Sequence, residues 1–294
     1  MKEYRGEVLR ARYDEHRIDV TVFERMQSLL RDVPRIFSPL KGGIEEIQEI
    51  YRRIPYDSYR WLDTGDAGEY LSAQGIKLAR QPLLYIDGFF LIPTVKKTSL
   101  FYHIESDHFV KILHPLSLKD RIVSALVDRG YHLYNLSRRL NRINIGVPDI
   151  MAYGYITRGR RVFFIMDRIK GESLYPVMVG DRTMPLDIYY NVIDKVIRLH
   201  REGYWFGDFR LSHVFVHEGE VTGIVDIDSI KKNFPFRINN LAKDIAGFNH
   251  PRLPLSSTQR QDIFSYYIEQ MDIKRKDRFY SLLRHYTRRR WDRS

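Results

Sequence analysis

Hydrophobic and polar positions follow three regimes along the chain. Over residues 1–80 the pattern is helical and loop-rich, with VFERMQSLL and IEEIQEIYRRI the best amphipathic runs. It predicts a mostly helical N-terminal extension without recognisable chemistry. From Leu83 the residues turn apolar and β-branched in LLYIDGFFLIPTV, TSLFYHI and HFVKIL, separated by the polar breaks VKKT and ESDH. Three antiparallel strands are expected there. A helical pattern returns over 118–144 and stops before Gly146 and Pro148. IMAYGYIT and RVFFIMDRI then form a second strand pair around the turn RGR.

After KGESL the apolar stripe Tyr189, Ile193, Val196, Ile197 and His200 keeps helical spacing, and Gly203 is placed to end that helix. HVFV and TGIVDI read as a hairpin around HEGE, and the chain from about Asn240 onward is helical. With no repeat and no low-complexity linker, the expected organisation is an extension over 1–80, a strand-rich module over 81–169 and a mainly helical module over 170–294, joined by a compact hinge.

Composition narrows the class. The chain has 294 residues, 44% of them hydrophobic, which is enough for two modules with real cores. The start MKEYRGEVLR is charged, and no apolar run approaches the roughly 18 residues that span a bilayer. The expectation is a cytoplasmic protein, with peripheral attachment to the inner membrane face as an extension of the charge argument. The absence of cysteine excludes disulfides and thiolate metal sites. Lys and Arg outnumber Asp and Glu 48 to 37, with clusters KRKDR and RRRWDR at the end. An anionic partner fits that field: an anionic membrane surface, a phosphorylated glycolipid or nucleic acid. A solvated basic helix fits it equally. Nucleic acid is disfavoured because the aromatic residues fall in predicted core stripes and are not interleaved with the basic runs.

The candidate chemistry lies in order along the chain. Strand module, hinge, helix, aspartate loop, then a hairpin with a second aspartate is the order that phosphoryl transfer of the protein-kinase architecture requires. Lys111, between apolar neighbours in HFVKIL, can neutralise nucleotide phosphates; a strand lysine can also be an edge residue facing water. In YWFGDFRLSHVFV, Asp208 can accept a hydroxyl proton and Arg210 can hold the γ phosphate. Asp208 can equally be a turn aspartate. Asp226 in GIVDID can coordinate magnesium, with Asp228 its rival and a plain strand-end aspartate the alternative.

Together, Lys111, FFIMDRIKGESL, LHREGYWFGDFRLSHV, GIVDID and NNLAKDIAGF resemble the lipopolysaccharide core kinases, which phosphorylate Kdo or heptose with ATP. The resemblance covers roughly residues 85–290. It implies an α+β, two-lobed protein-kinase-like fold, with an antiparallel sheet and a helix in the N-lobe and a mainly helical C-lobe. It implies Lys111 as the phosphate-binding lysine, Asp208 as the base, Arg210 as its basic companion and Asp226 as the metal-binding aspartate. Met166 corresponds to the residue before the hinge, so the backbone groups of Asp167 and Ile169 are expected at the adenine edge. Asp244 corresponds to a helix aspartate that braces the catalytic loop.

Four departures accompany the resemblance. No glycine-rich loop links the first strands; PTVKKTS stands there, where Lys96 and Lys97 can supply charge in place of backbone amides or simply be solvated. No acidic residue lies between Arg129 and Pro148 to pair with Lys111, and Asn135 falls near the expected place. Phe206 and Gly207 replace the His-Arg that usually precedes the catalytic aspartate. His213 replaces the asparagine that holds a second metal, as in the heptose-kinase branch, and makes it a candidate ligand alongside Asp226. The implied cofactors are ATP and Mg2+, with Mn2+ an alternative, and the implied acceptor is a sugar hydroxyl on a glycolipid at an anionic membrane surface. A catalytically silent kinase-like nucleotide-binding or interaction module, and a kinase acting on a protein or another small molecule, remain the alternatives.

Overall fold

The structure, a computed structural model, describes residues 1–32, 60–62, 83–92, 97–115, 117, 128–157 and 161–292. The run IEEIQEIYRRI, Lys96 and residues 118–127 lie outside them. The described chain divides into two compact units: Met1–Arg138 with Pro148–Arg168, and Arg139–Val147 with Ile169–Ser294.

The first unit is an antiparallel sheet with a helix. Its strands are β1 (Lys2–Arg5), β2 (Leu9–Tyr13), β3 (Arg60–Leu62), β4 (Leu83–Ile86), β5 (Phe89–Ile92), β6 (Thr98–His103), β7 (His108–Leu113), β8 (Ile150–Ile156) and β9 (Arg161–Asp167). Their order across the sheet is β1-β2-β8-β9-β7-β6-β5-β4-β3. Helix α1 (Val20–Asp32) buries Val22, Phe23, Met26, Leu29 and Leu30 against residues such as Phe101, Val110, Ile112, Phe163 and Ile165 from successive strands. Spacing of 3.6 on the helix and of two on the strands lets both elements turn their apolar positions to one shared core. Fully burying each such side chain contributes about 1.5–3 kcal/mol. A smaller cluster gathers Phe90, Ile92 and Tyr102 with Leu100 and Phe109.

Two sequence expectations change here. Residues 2–13, read as helical, form β1 and β2, and β2 pairs antiparallel with β8. The reason lies in LRARY, where Leu9, Ala11 and Tyr13 are buried and Arg10 and Arg12 exposed. That is a period of two too short to stand out among charged neighbours. The stretch LLYIDGFFLI is a hairpin and not one strand. Asp87 and Gly88 both take positive φ, +47° and +87°, the backbone of a two-residue turn that matches strand twist.

The second unit is mainly helical. Helix α2 (Arg129–Arg142) enters it from residue 139. There Arg139 pairs with Glu202 at 3.1 Å, and Ile224 N–H donates to Gly146 O at 2.7 Å. Gly146 must be glycine, because a Cβ there would lie 2.5 Å from Thr222 O. Next come β10 (Glu172–Ser173), the short α3 (Tyr175–Met178), α4 (Leu186–Arg201), β11 (Tyr204–Trp205), β12 (Val214–His217), β13 (Glu220–Ile224) and β14 (Lys231–Lys232). The unit closes with α5 (Ile238–Phe248), α6 (Ser257–Gln270) and α7 (Lys276–Trp291). β10, β12 and β13 form one small sheet and β11 pairs with β14. Helix α6 starts on a capping box, Ser256 Oγ accepting from Gln259 N–H and Gln259 Oε1 from Ser256 N–H. Among the described residues no helix is long and apolar enough to cross a membrane.

Candidate active site

The aspartate loop follows from local sequence. Helix α4 buries Ile188, Tyr189, Val192, Ile193, Val196, Ile197, Leu199 and His200, and ends at Gly203, whose φ is +76°. After β11 the apolar and polar residues separate: Phe206, Phe209 and Leu211 are buried, while Asp208 and Arg210 turn outward. The rings of Phe206 and Phe209 lie 4.8 Å apart. They pin the loop on both sides of Asp208, so its half-exposed carboxylate is held by a packed base.

Beneath the loop, Asp244 of α5 is wholly buried. Its Oδ2 accepts from Phe206 N–H at 2.6 Å and its Oδ1 from Gly207 N–H at 3.2 Å. A buried carboxylate persists only when its lone pairs are satisfied, and these loop donors satisfy it. His200 Nε2 lies 3.0 Å from Asp244 Oδ2, and His200 Nδ1 lies 2.8 Å from the Tyr267 hydroxyl. A neutral imidazole with its proton on Nε2 donates to the carboxylate and accepts from the phenol, which makes the chain consistent. Burial, reinforced by the Asp244 charge, pushes the Tyr267 hydroxyl well above its ordinary pKa and keeps it a donor. In the sequence His200 is one member of an apolar stripe, and nothing there singles out Tyr267.

A second guanidinium reaches Asp208. Arg210 sits beside it, with Nε 3.4 Å from Oδ1 and Nη2 3.5 Å from Oδ2. Arg290, from the last turn of α7, places Nη2 2.5 Å from Oδ1. Its side chain is only 18% exposed against 50% for Asp208. Burial lowers the pKa of the Arg290 guanidinium and the Asp208 charge opposes that shift. Two features bring Arg290 there. Trp291 donates Nε1–H to Ala246 O at 2.9 Å, locking α7 to α5. Gly247 leaves a notch: a Cβ at this position would lie 2.0 Å from Phe209 O and 2.9 Å from Arg290 Nη1. Arg288 and Arg289 are exposed, so the three arginines read together as a lipid-facing run point different ways.

Asp226 follows β13 in the left-handed conformation, φ +70° and ψ +42°, which aspartate tolerates better than most residues. Ser229 N–H and Oγ–H both donate to its carbonyl. His213 N–H donates to Arg210 O at 3.0 Å, and His213 O accepts from Val225 N–H at 2.9 Å. The stretch from Arg210 to His213 is thereby tied to the residue next to Asp226. Among the described residues no three His, Asp or Glu side chains converge as a metal cage. The Asp226 carboxylate suits a magnesium ion that takes its remaining ligands from water and phosphate, whereas an imidazole is a poorer ligand for so hard a cation.

In the first unit, Lys111 lies half-buried on β7, which pairs with β6 on one side and β9 on the other. It is therefore not on an edge strand. Asn135 donates its amide to Tyr131 O within α2. Lys97 is exposed at the turn before β6. Met166 and Asp167 end β9, Met166 facing Phe109 and Ile150 in register. Asp167 N–H donates to Asp149 O at 3.1 Å, and its Oδ1 accepts from Asp149 N–H at 2.6 Å. Burial pushes its carboxyl pKa up to about 6, with the Asp149 N–H and Arg17 acting against the rise. Ile169 opens the second unit, packing against Gly223.

No protein-family model matches the chain, and no curated protein matches it. Among solved structures it is similar to the bifunctional kinase-methyltransferase WbdD, at 12% identity and a TM-score of 0.43 over 78% of this chain and 65% of that one. Monomeric WbdD gives 14% identity and a TM-score of 0.45 over 81% and 57%. Vaccinia related kinase 3 gives 14% identity and a TM-score of 0.34 over 57% and 58%. The chain thus spans less than two thirds of the length of each.

Proposed function

We propose that this chain is an ATP-dependent phosphotransferase that moves a γ phosphate to a sugar hydroxyl, of Kdo or heptose type, on a lipopolysaccharide-like glycolipid. The observation that carries the reading is the support of Asp208: an outward carboxylate on a loop whose backbone is held from below by a buried Asp244–His200–Tyr267 chain. Such support suits a group that must meet a reacting atom with little freedom. In this reading the acceptor hydroxyl gives its proton to Asp208 while its oxygen bonds to the γ phosphorus. The bond from that phosphorus to the bridging oxygen of ADP breaks as the new one forms. Arg210 bears the charge on the transferring group and Lys111 that of the nucleotide phosphates. Asp226, with His213 beside its strand, would hold magnesium, which adds positive charge against the phosphates.

One observation favours a silent nucleotide-binding module: Arg290 already occupies Asp208 Oδ1. Among the described residues Oδ2 has only Arg210 at 3.5 Å and can still receive a hydroxyl proton. The deciding experiment measures transfer from γ-labelled ATP to core glycolipid and, separately, nucleotide binding. Asp208→Asn is expected to bind ATP as the parent does and to lose about 10²–10⁴-fold in transfer, the scale of a general base. Transfer at the parental rate in that variant overturns the catalytic role. Nucleotide binding without transfer in the parent chain selects the silent module.

A further inference from the structure

The loop between β14 and α5 carries two phenylalanines into solvent, Phe234 at 90% exposure and Phe236 at 60%. Single exposed apolar residues are ordinary on protein surfaces. Two phenylalanines on one three-residue tip are not. The loop is also built and not frayed. Asn233, buried at its base, donates its own N–H to Gly203 O at 2.7 Å. Its Oδ1 accepts from Arg237 N–H at 3.1 Å and from Asn240 Nδ2 at 2.9 Å, closing the segment into a tight projection. Around the tip stand the exposed cations Lys232, Arg237, Lys274, Arg275 and Arg278. The nearby acids are fewer, Asp272 and Asp277, and the Asp272–Lys274 pair at 2.5 Å cancels, leaving Lys232, Arg237, Arg275 and Arg278 against Asp277. Phe236, Arg237, Ile273, Lys274 and Arg278 line a groove of about 490 Å³ beside it.

We infer that this loop and the turn before α7 form a docking surface for an anionic lipid bilayer, with Phe234 and Phe236 entering the headgroup and acyl boundary and the ring of cations meeting lipid phosphates. Aromatic side chains framed by Lys and Arg gain on both counts at such a boundary: apolar area leaves water while the cations stay at the charged surface. The surface lies close to the aspartate loop. Lys231 pairs with Trp205 in the β11–β14 ladder, and its Nζ lies 5.8 Å from the centre of that ring. Phe234 follows three residues later, at most about 11 Å along the chain. A chain seated this way presents Asp208 near the membrane surface, where a glycolipid hydroxyl is found. That benefit rests on the phosphotransferase reading, whereas the binding can be measured without nucleotide.

The test is co-sedimentation of the full chain with vesicles of phosphatidylcholine alone or mixed with phosphatidylglycerol, without ATP, at low and high salt. The parent is expected to bind the anionic vesicles and to be released by salt. Phe234→Ser with Phe236→Ser should weaken binding by about tenfold or more. Arg275→Gln and Arg278→Gln together should weaken it by about 25-fold, near fivefold per cation. Arg288→Gln with Arg289→Gln, about 15 Å farther along α7, should weaken binding less than either patch variant does. The altered side chains are exposed, so unfolding midpoints equal to the parent's show that folding is intact. Parental binding in either patch variant overturns the proposal, as does a parent that ignores anionic vesicles. So does a parent that forms dimers which the phenylalanine changes dissolve, since the loop then serves a second copy of the chain. Loss of ATP transfer with vesicle binding intact would count against the kinase reading alone.

Discussion

Arg290 and Asp208, 82 positions apart in the chain, meet at 2.5 Å through Nη2 and Oδ1. The contact belongs to packed structure. Phe279, Leu283 and Trp291 of α7 are buried, and Gly247 opens the passage along α5. An arginine fixed in this way acts on the carboxylate by direction as well as charge, since its Nη2–H holds one oxygen in place and leaves the other toward Arg210. Arg290→Gln is expected to lower kcat by about 10²-fold, the cost of misplacing a reacting group by about an ångström, with little change in KM for ATP. Arg290→Lys should retain part of the rate. Steady-state kinetics of the two variants decide this, and a rate above the parent's would mark the contact as inhibitory.

Gly247→Ala tests the same passage from the other side. Its Cβ would meet the Phe209 carbonyl, which belongs to the loop backbone and cannot move without shifting Asp208. Overpacking of this kind costs about 1–3 kcal/mol. Urea unfolding should report that loss, and transfer should fall more than in Ala246→Gly, a change that leaves the notch open.

The buried chain below the loop makes a graded prediction. Asp244→Ala removes the acceptor of two loop N–H groups and of His200, and is expected to destabilise by about 3–5 kcal/mol. Tyr267→Phe removes only the donor to His200 and should cost about 1–2 kcal/mol. Chemical denaturation of both variants checks the order. Equal losses would mean that the chain does not transmit support from Tyr267 to the loop.

Metal use separates Asp226 from His213. Asp226→Asn should abolish magnesium-dependent ATP binding, because it removes the charged oxygen ligand. If His213 braces the loop and does not coordinate, His213→Asn should keep substantial activity and the parental preference between magnesium and manganese. Titrations of both metals against turnover decide it. A shift from manganese toward magnesium in His213→Asn would make the imidazole a ligand.

A pH effect follows from the first unit. His114 is buried, with Nε2 2.8 Å from Ser99 Oγ, and burial lowers its pKa to about 4, the Arg161 charge adding to the effect. The folded state therefore keeps the ring neutral where the unfolded chain takes up a proton. Stability is full above about pH 6.5 and declines as pH falls toward 4. The complete decline is about 3 kcal/mol. Asp167, its pKa raised to about 6, acts with the opposite sign and loses stability as pH rises from about 4 to 6. Urea titrations across this range should show the acid decline removed in His114→Phe and the opposing slope removed in Asp167→Asn.

Much of the architecture was legible because its causes are local. The apolar, β-branched runs HFVKIL and RVFFIMDRI, the helical stripe ending at Gly203, and the hairpin around HEGE each depend on near neighbours in the chain. The burial of Phe206 and Phe209 on either side of the half-exposed Asp208 was not legible in the sequence and came from packing. The short strand at Leu9–Tyr13 and the Asp87–Gly88 hairpin were missed: charged neighbours hid the first, and a continuous apolar run masked the second.

Local periods in the sequence account for most of the elements and for their order, since backbone geometry imposes those periods residue by residue. Tertiary structure decided what their side chains touch. RRRWDR reads as one basic run, yet helix α7 advances about 100° per residue. Arg290 and Trp291 consequently face α5 while Arg288 and Arg289 face water, and only the packing of α7 against α5 selects which side is which. His200 reads as one more member of an apolar stripe until α5 and α6 bring Asp244 and Tyr267 to its two nitrogens. Polar partnership across 44 and 67 residues depends on where separate elements dock, and no local period encodes it.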